Sequence, residues 1–495
     1  MKLAPSTALV KQSLSSHSWI GLLVGALMYV VCLSGTLAVF YPELERWEQP
    51  DVAESLRYDP RRVEQAYHDV VQGDTPVTHH MYVALPTSEM PRTSISTEER
   101  GWFLNEDGSL GQAVNHDWTH MLINLHLYLH LPASFGMIVV STLGALLCGL
   151  VVSGLLAHPR IFKDAFLLRL GGSRHLEQAD IHNRLSVWGA PFHLMIGITG
   201  AYFGLAALVS LVLAAAYFDG DSDAVSAAAF GAEPELRQPE QPLAIAKAFN
   251  AMERIAPDAQ PFYVTVEEAD VPAQSYMVVG ARHPGRLIWA EQYRFDAAGN
   301  FLDKIGYSDG AAGRQAIFSV YRLHFGHFGG LAVKLLYVVL GLALTVVSVT
   351  GVNVWLARRR REDRLNHIWT GFVWGAPAAL AFTAVAQVLF GIPATLLLWL
   401  GVVAAVAWAV KVGDEARVKR QLQLVCGAVL VVLAAGHLIR YQSSALNGAA
   451  AGINAAVVLT AGFFLWSGLR GRRAGTVYQP YRTLGSTLRG APKNP

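Results

Sequence analysis

The sequence predicts a polytopic α-helical membrane protein with about eight transmembrane helices, a duplicated helix–module–helix core and two small α+β modules outside the membrane. Three observations predict this fold class: an apolar composition, apolar runs long enough to cross a bilayer, and a repeated pattern of histidines and glycines. Hydrophobic residues make up 53% of the chain and charged residues 15%, against about 25% charged residues in soluble domains. The mean hydropathy is +0.32. This composition excludes a soluble globular enzyme.

The membrane helices are predicted from charge-poor stretches that are long enough to cross a hydrocarbon core of roughly 30 Å. They lie at residues 19–41, 135–157, 187–217, 331–356, 369–390, 392–410, 421–440 and 450–470. The first stretch follows Lys2 and Lys11. It is longer than the apolar part of a signal peptide, and no small-residue cleavage site follows it. We therefore expect this stretch to remain as the first transmembrane helix.

The orientation is predicted from basic residues, which concentrate in the loops after the second, fourth and sixth helices and in the tail. These residues are Arg160, Lys163, Arg169, Arg174, Arg184, Arg358, Arg359, Arg360, Arg361, Lys411, Arg417, Lys419, Arg420, Arg470, Arg472 and Arg473. With eight helices, all these segments lie on one side, which the positive-inside rule makes cytoplasmic. We expect a bacterial inner (cytoplasmic) membrane protein with both termini in the cytoplasm.

Two long segments remain on the periplasmic side, and both have the composition of soluble domains. Each predicts one helix followed by short alternating strands and a polar turn. In the first segment these elements are Pro60–Val71, Met81–Leu85, Gly101–Leu104 and the turn Asn105–Gly108, and in the second they are Pro242–Ile255, Phe262–Val266, Ser275–Val279, Leu287–Phe295 and the turn Asp296–Asn300. Each segment is therefore interpreted as a small α+β module held between two membrane helices.

These patterns divide the chain into seven segments. They are 1–41 (N-terminus and first helix), 42–134 (first periplasmic module), 135–217 (second helix, cytoplasmic loop and third helix), 218–330 (second periplasmic module), 331–362 (fourth helix and basic loop), 363–470 (a four-helix extension) and 471–495 (cytoplasmic tail).

The first four membrane helices repeat one pattern. His17 precedes Gly35 by 18 positions, and His182 precedes Gly200 by the same 18. His126 begins the run into the second helix, which ends at Ser153-Gly154, and His324 begins the run into the fourth, which ends at Thr350-Gly351. Two parallel repeats of this kind predict a pseudo-twofold axis along the membrane normal.

That axis would bring equivalent histidines face to face. His17 and His182 are predicted at the cytoplasmic ends of their helices, and His126 and His324 at the periplasmic ends. Two imidazoles opposed across a helix bundle are what a six-coordinate haem iron requires. We therefore expect two b-type haems, one near each membrane face, and electron transfer across the bilayer. A single histidine at a helix end commonly contacts headgroups or backbone, but matched pairs at membrane depth favour a functional role.

Other side chains offer alternatives to this assignment. His130 and His327 lie one helical turn beyond the periplasmic pair and are alternative ligands there. His193 lies three turns from His182, its counterpart in the repeat is Met28, and a packing or supporting role is favoured over a His/Met haem site. Three arginines flank the predicted sites and are candidate partners of haem propionates, although they also serve as topology determinants. They are Arg160, Arg184 and Arg322.

Several other kinds of site are excluded. Cys32, Cys148 and Cys426 lie inside apolar runs without Cys-x-x-Cys spacing, so a zinc knuckle, a disulfide framework and covalent c-type haem are not expected. No nucleotide-binding glycine loop or nucleophile elbow is present, the cytoplasmic loops are too short for a flavin or NAD domain, and nothing indicates nucleic-acid binding. No catalytic residue is assigned. His79-His80 in the first module is interpreted as a solvated pair, with substrate contact as the alternative.

Five linked motifs are similar to those of one known family. They are His17–Gly21, Leu33–Leu44, Ser153–Lys163, Asp180–Leu185 and Trp188–His193. Over about residues 10–362 the chain resembles the PepSY-associated transmembrane (PepSY_TM) family, whose members include iron-regulated membrane proteins of the PiuB type and di-haem ferric-siderophore reductases such as FoxB. The resemblance implies PepSY-like modules and a chain that passes electrons outward to reduce Fe(III) in a periplasmic siderophore, with release of weakly held Fe(II).

The sequence departs from this family in two places. The four C-terminal helices lie outside the family core, and they are interpreted either as a packing domain or as a site for a quinol or a cytoplasmic reductase that donates electrons. Ser186 stands where the first repeat has Gly21, at the predicted haem position of His182. Two other functions are left open: a haem-free binding or regulatory protein, and a transporter, against which the sequence shows no broken helix and no buried membrane carboxylate.

Overall fold

The computed structural model describes residues 6–158, 160–164, 166, 169, 173–359 and 361–470. Eight of the described helices are long and apolar enough to cross a membrane, which confirms the predicted fold class. The predicted tail 471–495, with Arg472 and Arg473, lies outside the described residues, as does Arg360.

The helices are numbered in chain order. They are α1 Thr7–Ala38, α2 Tyr41–Glu48, α3 Pro60–Gln72, α4 Asp117–Tyr128, α5 Ala133–Ala157, α6 Ile161–Asp164, α7 Arg174–Tyr217, α8 Ser222–Phe230, α9 Ile245–Ile255, α10 Ala312–Phe325, α11 Gly330–Arg358, α12 Arg364–Ala384, α13 Ala394–Val412, α14 Glu415–Tyr441 and α15 Gly448–Arg470.

The duplicated core is a ring of four long helices in which α1 and α7 each pack against both α5 and α11. Two of these helices begin earlier than their apolar runs, α1 at Thr7 and α7 at Arg174. With 44 residues, α7 is about 66 Å long, more than the bilayer requires. The reason is that the polar residues before the apolar run extend the same helix beyond the membrane. His17 and His182 therefore lie within continuous helix.

The extramembrane segments form one domain with a single eight-stranded antiparallel sheet. Its strands are β1 Met81–Ala84, β2 Ser94–Ser96, β3 Gly101–Leu104, β4 Leu110–Ala113, β5 Gln260–Glu267, β6 Tyr276–Arg282, β7 Glu291–Asp296 and β8 Phe301–Ile305. The sheet order is β4-β3-β2-β1-β5-β6-β7-β8. The predicted strands are present, but the expectation of two separate modules is not met, because β1 and β5 pair with Val83 opposite Val264.

The joining of the two halves has a physical reason. Each four-stranded half alone would leave β1 or β5 as an edge with unpaired backbone groups, and the pairing satisfies both edges. One face of the joined sheet is covered by α3 and α9, which pack against each other. In α3 the buried residues Val63, Ala66, Tyr67 and Val70 follow the i, i+3, i+4, i+7 spacing of a helix with one apolar face.

Two short helices connect the sheet to the membrane ring. α4 leads from β4 into α5, and α10 leads from β8 into α11. Each ends at a residue in the left-handed region, Leu129 (φ 54°) after α4 and Gly326 (φ 71°) after α10. These turns redirect the chain before the membrane helix begins. His126 and His324 lie in the last turns of α4 and α10, at the sheet-facing end of the ring.

The four C-terminal helices pack against one side of the ring. α12 lies at the centre of this group, against α13 and α14, while α14 packs on α15. The hydroxyl of Tyr29 in α1 donates a hydrogen bond to the carbonyl oxygen of Val373 in α12 at 2.6 Å. The helix continues from α12 into a π-helical turn over Val385–Leu389, so the two together form one span, Arg364–Leu389.

Candidate cofactor sites in the helix ring

The first histidine pair, called the loop-side pair, consists of His17 in α1 and His182 in α7, at the end of the ring opposite the sheet. Their ring centres are 6.1 Å apart and their planes cross at 80°. His17 Nδ1 lies 3.0 Å from the carbonyl oxygen of Leu150, and His182 Nδ1 lies 3.1 Å from that of Val347. Leu150 and Val347 occupy equivalent positions in α5 and α11, four residues before Gly154 and Gly351, so the two contacts are related by the duplication.

The second pair, called the sheet-side pair, consists of His126 and His324. Their ring centres are 6.2 Å apart, with 35° between the ring planes. His126 Nδ1 lies 2.9 Å from the carbonyl oxygen of Val31. His324 Nδ1 lies 2.8 Å from Thr199 Oγ1, and that hydroxyl donates to the carbonyl oxygen of Met195 at 2.7 Å. The structure therefore brings together both pairs that the sequence predicted.

The hydrogen bonds fix which ring nitrogen carries the proton. A carbonyl oxygen accepts only, so Nδ1 of His17, His126 and His182 carries the proton. Nε2 is then an unprotonated acceptor, and no described residue contributes a hydrogen bond to Nε2 of any of these four histidines. Metal–imidazole bonds are about 2 Å long, so two imidazoles that share one metal ion have ring centres roughly 6 Å apart. Both pairs have this spacing.

The repeated glycines lie directly against these imidazoles. A Cβ atom added to Gly154 would lie 3.1 Å from His17 Cε1, and one added to Gly351 would lie 3.3 Å from His182 Cε1. At the other pair, Gly200 stands in the same relation to His324 at 3.2 Å, and a Cβ at Gly35 would overlap the His126 ring. The glycines therefore leave the space in which the edge of each imidazole lies.

Each pair lines a cavity inside the ring. The loop-side cavity has a volume of about 450 Å³ and the sheet-side cavity about 140 Å³. The loop-side cavity is lined by Gly21 and by Ser186, the residue that replaces glycine in the second repeat. Three buried residues line both cavities and separate them; this group, here named the apolar septum, consists of Met28, Leu147 and Leu344.

Two of the three alternative ligands, His130 and His327, lie outside both cavities. His130 has both ring nitrogens engaged: Nε2 donates to the carbonyl oxygen of Met121 at 2.8 Å, and Nδ1 accepts from Trp399 Nε1 at 3.1 Å. His327 packs against Tyr41, with ring centres 5.4 Å apart, and lies outside the sheet-side cavity lining. His193 does line the loop-side cavity, and its buried Nε2 has no hydrogen-bond partner in the described part of the chain.

The three arginines that the sequence proposed as propionate partners are not brought to the cavities. Arg184 donates to the carbonyl oxygen of Phe166 at 2.7 Å, and Arg322 donates to that of His327 at 2.8 Å. Neither these two nor Arg160 lines either cavity. Two other arginines, Arg169 and Arg358, line the loop-side cavity instead. Loop residues are positioned by tertiary contacts, so their distance from a site along the sequence is a weak guide.

Sequence reasoning also missed a carboxylate at the loop-side site. Asp180 in α7 is 4% exposed, lines the loop-side cavity and accepts two side-chain hydrogen bonds from Arg169, at 2.8 Å and 2.6 Å. It lies in the part of α7 that precedes the predicted membrane run. A signal was present, since Asp180 stands two residues before His182 in the repeated helix.

The exposed pair His79-His80 lies where β1 begins and is surrounded by carboxylates. His79 Nδ1 is 3.0 Å from Asp270 and His80 Nδ1 is 2.8 Å from Glu98. The hydrogen bond that His79 donates to Asp270 raises the pKa of His79 above its ordinary value. The solvated interpretation of this pair agrees with its exposure, and its partners are carboxylates of both halves of the sheet.

Comparison with known proteins gives a family for this arrangement. The family model for the PepSY-associated TM region matches residues 14–358, which include all four paired histidines and the whole sheet. The chain belongs to the PepSY-associated transmembrane family. It is also similar to "Uncharacterized protein PA4219" of Pseudomonas aeruginosa, with 29% identity over 313 residues, which cover 58% of this chain and 77% of the relative. The match to the PepSY-associated TM family ends at the last residue of α11, so α12–α15 lie beyond it.

Proposed function

We propose that this protein is an inner-membrane di-haem b electron conduit that reduces siderophore-bound Fe(III) in the periplasm for iron acquisition. The observation that carries the proposal is the pairing of four histidines with ring centres 6.1 and 6.2 Å apart, the spacing of two imidazoles that share one metal ion. Two such pairs, related by the duplication, are harder to explain as contacts of helix ends with headgroups or backbone than a single pair would be.

The residues at both sites fit haem. In the loop-side cavity His17 and His182 would hold the haem iron, and the basic side chains that line the cavity are Arg169, which is paired with Asp180, and Arg358. In the sheet-side cavity His126 and His324 would be the ligands. A side chain in place of the glycine beside either histidine would meet its imidazole ring. Bound haem would supply a one-electron carrier at each end of the ring. The acceptors of Nδ1, which are three backbone carbonyls and the Thr199 hydroxyl, orient the imidazoles and make Nε2 a stronger ligand.

The proposed orientation places the sheet domain in the periplasm. Basic residues at the end of the ring opposite the sheet support it, since the positive-inside rule assigns such loops to the cytoplasm. Among them are Lys163 in α6, and Arg358 and Arg359 at the end of α11. In this orientation the larger, loop-side cavity faces the source of electrons, a quinol or a cytoplasmic reductase, and the sheet-side pair faces the acceptor.

A series of aromatic rings leads from the sheet-side pair to the sheet domain and supports an acceptor on that side. From His324 the ring centres of Phe325, Tyr321 and Trp289 follow at separations of 5.6, 4.4 and 5.2 Å. Trp289 then stacks on Tyr263 of β5, at 5.2 Å. The half-buried surface near Trp289 is where we expect a chelate to bind close to the sheet-side pair.

The first experiment is a visible spectrum of the purified protein, oxidised and reduced with dithionite, together with a pyridine haemochrome assay. We expect the sharp reduced α-band of low-spin b-type haem and two haems per chain. A protein that stays colourless after haem supplementation would contradict the proposal. It would favour a haem-free binding or regulatory protein instead.

The reductase step is tested separately. The haem-loaded protein, reduced in detergent, is mixed with an Fe(III) hydroxamate chelate, and a ferrous-specific chromophore traps Fe(II). We expect reoxidation of the α-band with one Fe(II) formed per electron lost. Reoxidation by quinones or Cu(II) but not by the Fe(III) chelate would retain the conduit and assign it another acceptor.

A further inference from the structure

A second group of ligand-type side chains lies on the sheet side of the ring, outside both histidine cavities. It consists of Glu45 in α2, His116 immediately before α4, and His120 in α4, whose ligand atoms lie within 4.8 Å of one another. Glu45 Oε1 is 3.8 Å from His116 Nδ1, and the two imidazole centres are 6.3 Å apart. We call these three residues the Glu45 cluster.

The fold holds this cluster together through the start of α4. Both carboxylate oxygens of Glu48 accept hydrogen bonds there, from the backbone N–H of Trp118 at 3.0 Å and from that of Thr119 at 2.8 Å. This fixes the end of α2 against α4. Glu45 lies about one turn earlier in α2, and His116 and His120 are four residues apart, the spacing that places two histidines on one helical face.

The burial of the cluster differs from that of a solvated surface group. His116 is 5% exposed, and its Nε2 has no hydrogen-bond partner among the described residues. Burial raises the pKa of Glu45 to about 8 and lowers the pKa of His116 to about 3. Without a cation the cluster therefore buries a neutral acid beside a neutral imidazole. The nearby Arg92 guanidinium is paired with Glu54 at 3.3 Å. His120 is exposed and gives solvent access to the cluster.

We propose that Glu45, His116 and His120 bind one divalent first-row transition-metal ion. Two imidazoles and one carboxylate are the donor set of open Fe(II) sites and also suit Zn(II), whereas Mg²⁺ and Ca²⁺ prefer oxygen ligands alone. Ligand bonds of about 2.1 Å place neighbouring donor atoms roughly 3–3.5 Å apart. The present spacing closes to this range with side-chain shifts of about 1 Å, and the exposed side of His120 leaves positions for water.

The location of the cluster connects it with the proposed reaction, although the argument for metal binding uses none of the haem ligands. α4 carries both His120 and His126, which are six residues and therefore about 9 Å apart along the helix axis. The Glu45 cluster thus lies less than two helical turns from the sheet-side pair along α4. On the proposed function, its ion would be Fe(II) released from a reduced chelate and held before it leaves the protein.

The other described group of this kind, His79 with Glu268 and Asp270, serves as a comparison. Its histidine is exposed and already has carboxylate partners, with Nδ1 at 3.0 Å from Asp270 and Nε2 at 3.4 Å from Glu268. No buried unpartnered nitrogen is present in it among the described residues. His79→Ala is therefore a matched control, since it removes one histidine from a histidine–carboxylate group on the same side of the membrane ring.

The test is equilibrium dialysis of the full-length protein, purified without a histidine tag, against Zn²⁺, with bound metal counted by elemental analysis. We expect His120→Ala and Glu45→Gln each to bind one Zn²⁺ per chain fewer than the wild type, and His79→Ala to retain that ion. Fe²⁺ binds such donor sets more weakly than Zn²⁺, so anaerobic Fe²⁺ should load the same site when Zn²⁺ is absent, and Zn²⁺ should displace it.

Equal Zn²⁺ binding by His120→Ala and the wild type would overturn the inference, as would loss of the ion in His79→Ala. Haem content and the monodisperse elution of each variant report folding independently. A colourless wild type that still binds the ion would contradict the proposed function but support this metal site. A di-haem protein that does not bind the ion would support the proposed function but contradict this metal site.

Discussion

At the scale of single residues, each paired imidazole depends on hydrogen-bond acceptors at Nδ1 for its orientation and on one glycine for its space. We expect His126→Ala and His324→Ala each to reduce the pyridine haemochrome count from two per chain to one, because the remaining imidazole cannot hold six-coordinate haem alone. His130→Ala is the control, since both nitrogens of His130 are engaged outside the cavity. Equal haem loss in His130→Ala and His126→Ala would show that the ligands are assigned wrongly.

The glycine contact makes a second prediction. Gly35→Ala places a methyl group on the His126 ring, so the imidazole must rotate or the helices must separate, and the sheet-side haem should be lost or become high-spin. Gly149→Ala in α5 is the matched control, because a Cβ there meets no atom within 4 Å. The measurement is the reduced α-band of both variants. An unchanged spectrum in Gly35→Ala would contradict the proposed seating of His126.

The four paired histidines were predictable because the duplication repeats their spacing from the glycines. The choice between His126 and His130 was not. A helical phase argument assumes that the helix continues, but α4 ends at Tyr128, and the chain then turns through Leu129 and His130, which both have positive φ (54° and 57°). His130 therefore leaves the face that carries His126. Such a turn, made by residues other than glycine, has no reliable signal in a single sequence.

At the scale of secondary-structure elements, the strands were predictable but their joining was not. Alternation of apolar residues is a local pattern, whereas the pairing of β1 with β5 connects residues about 180 positions apart. The sequence of neither strand indicates which strand it pairs with. The same holds for α4, whose start is fixed by Glu48 from another helix.

The joining of the two halves predicts a specific cross-link. Tyr82 lies directly opposite Thr265, and facing residues of antiparallel strands have Cα atoms about 4.5–5.5 Å apart, within the range for a disulfide. We expect the pair Tyr82→Cys with Thr265→Cys to oxidise readily, as detected by mass spectrometry of the linked peptides. Tyr82→Cys with Glu267→Cys, shifted by two residues, is the control and should link poorly. Equal linkage in both pairs would contradict the register.

At the scale of the whole molecule, the C-terminal extension is bound to the ring and to α2 by buried polar contacts. Asn454 in α15 accepts from Trp47 Nε1 at 2.9 Å and donates to His437 Nδ1 at 3.1 Å. His437 Nε2 lies 2.8 Å from the carbonyl oxygen of Trp47, and the two rings stack at 4.7 Å. The packing interpretation of the extension agrees with these contacts. The contacts of Trp47 with Asn454 and His437 join residues about 400 positions apart, and no sequence pattern predicts such contacts.

Removal of this network should lower stability without removing haem. Asn454→Ala leaves buried donors and acceptors unpaired, each at a cost of about 1–3 kcal/mol, so we expect a lower Tm in detergent with both haems retained. Thr460→Ala, in the same helix, is the control, because the Thr460 hydroxyl only donates to the carbonyl oxygen of Ala456 and is exposed. Haem loss in Asn454→Ala below its Tm would instead indicate that the extension shapes the sites.

The apolar septum of Met28, Leu147 and Leu344 has a consequence for energy use. Its three side chains offer no group that could relay a proton, so an electron that crosses between the sites moves without a compensating ion. Such a transfer is electrogenic. In the proposed orientation, outward electron flow follows the membrane potential and gains about 2.3 kcal/mol per 100 mV for a full crossing. A charged membrane would therefore favour reduction outside and oppose the reverse reaction, and on the proposed function iron reduction would consume part of the membrane potential.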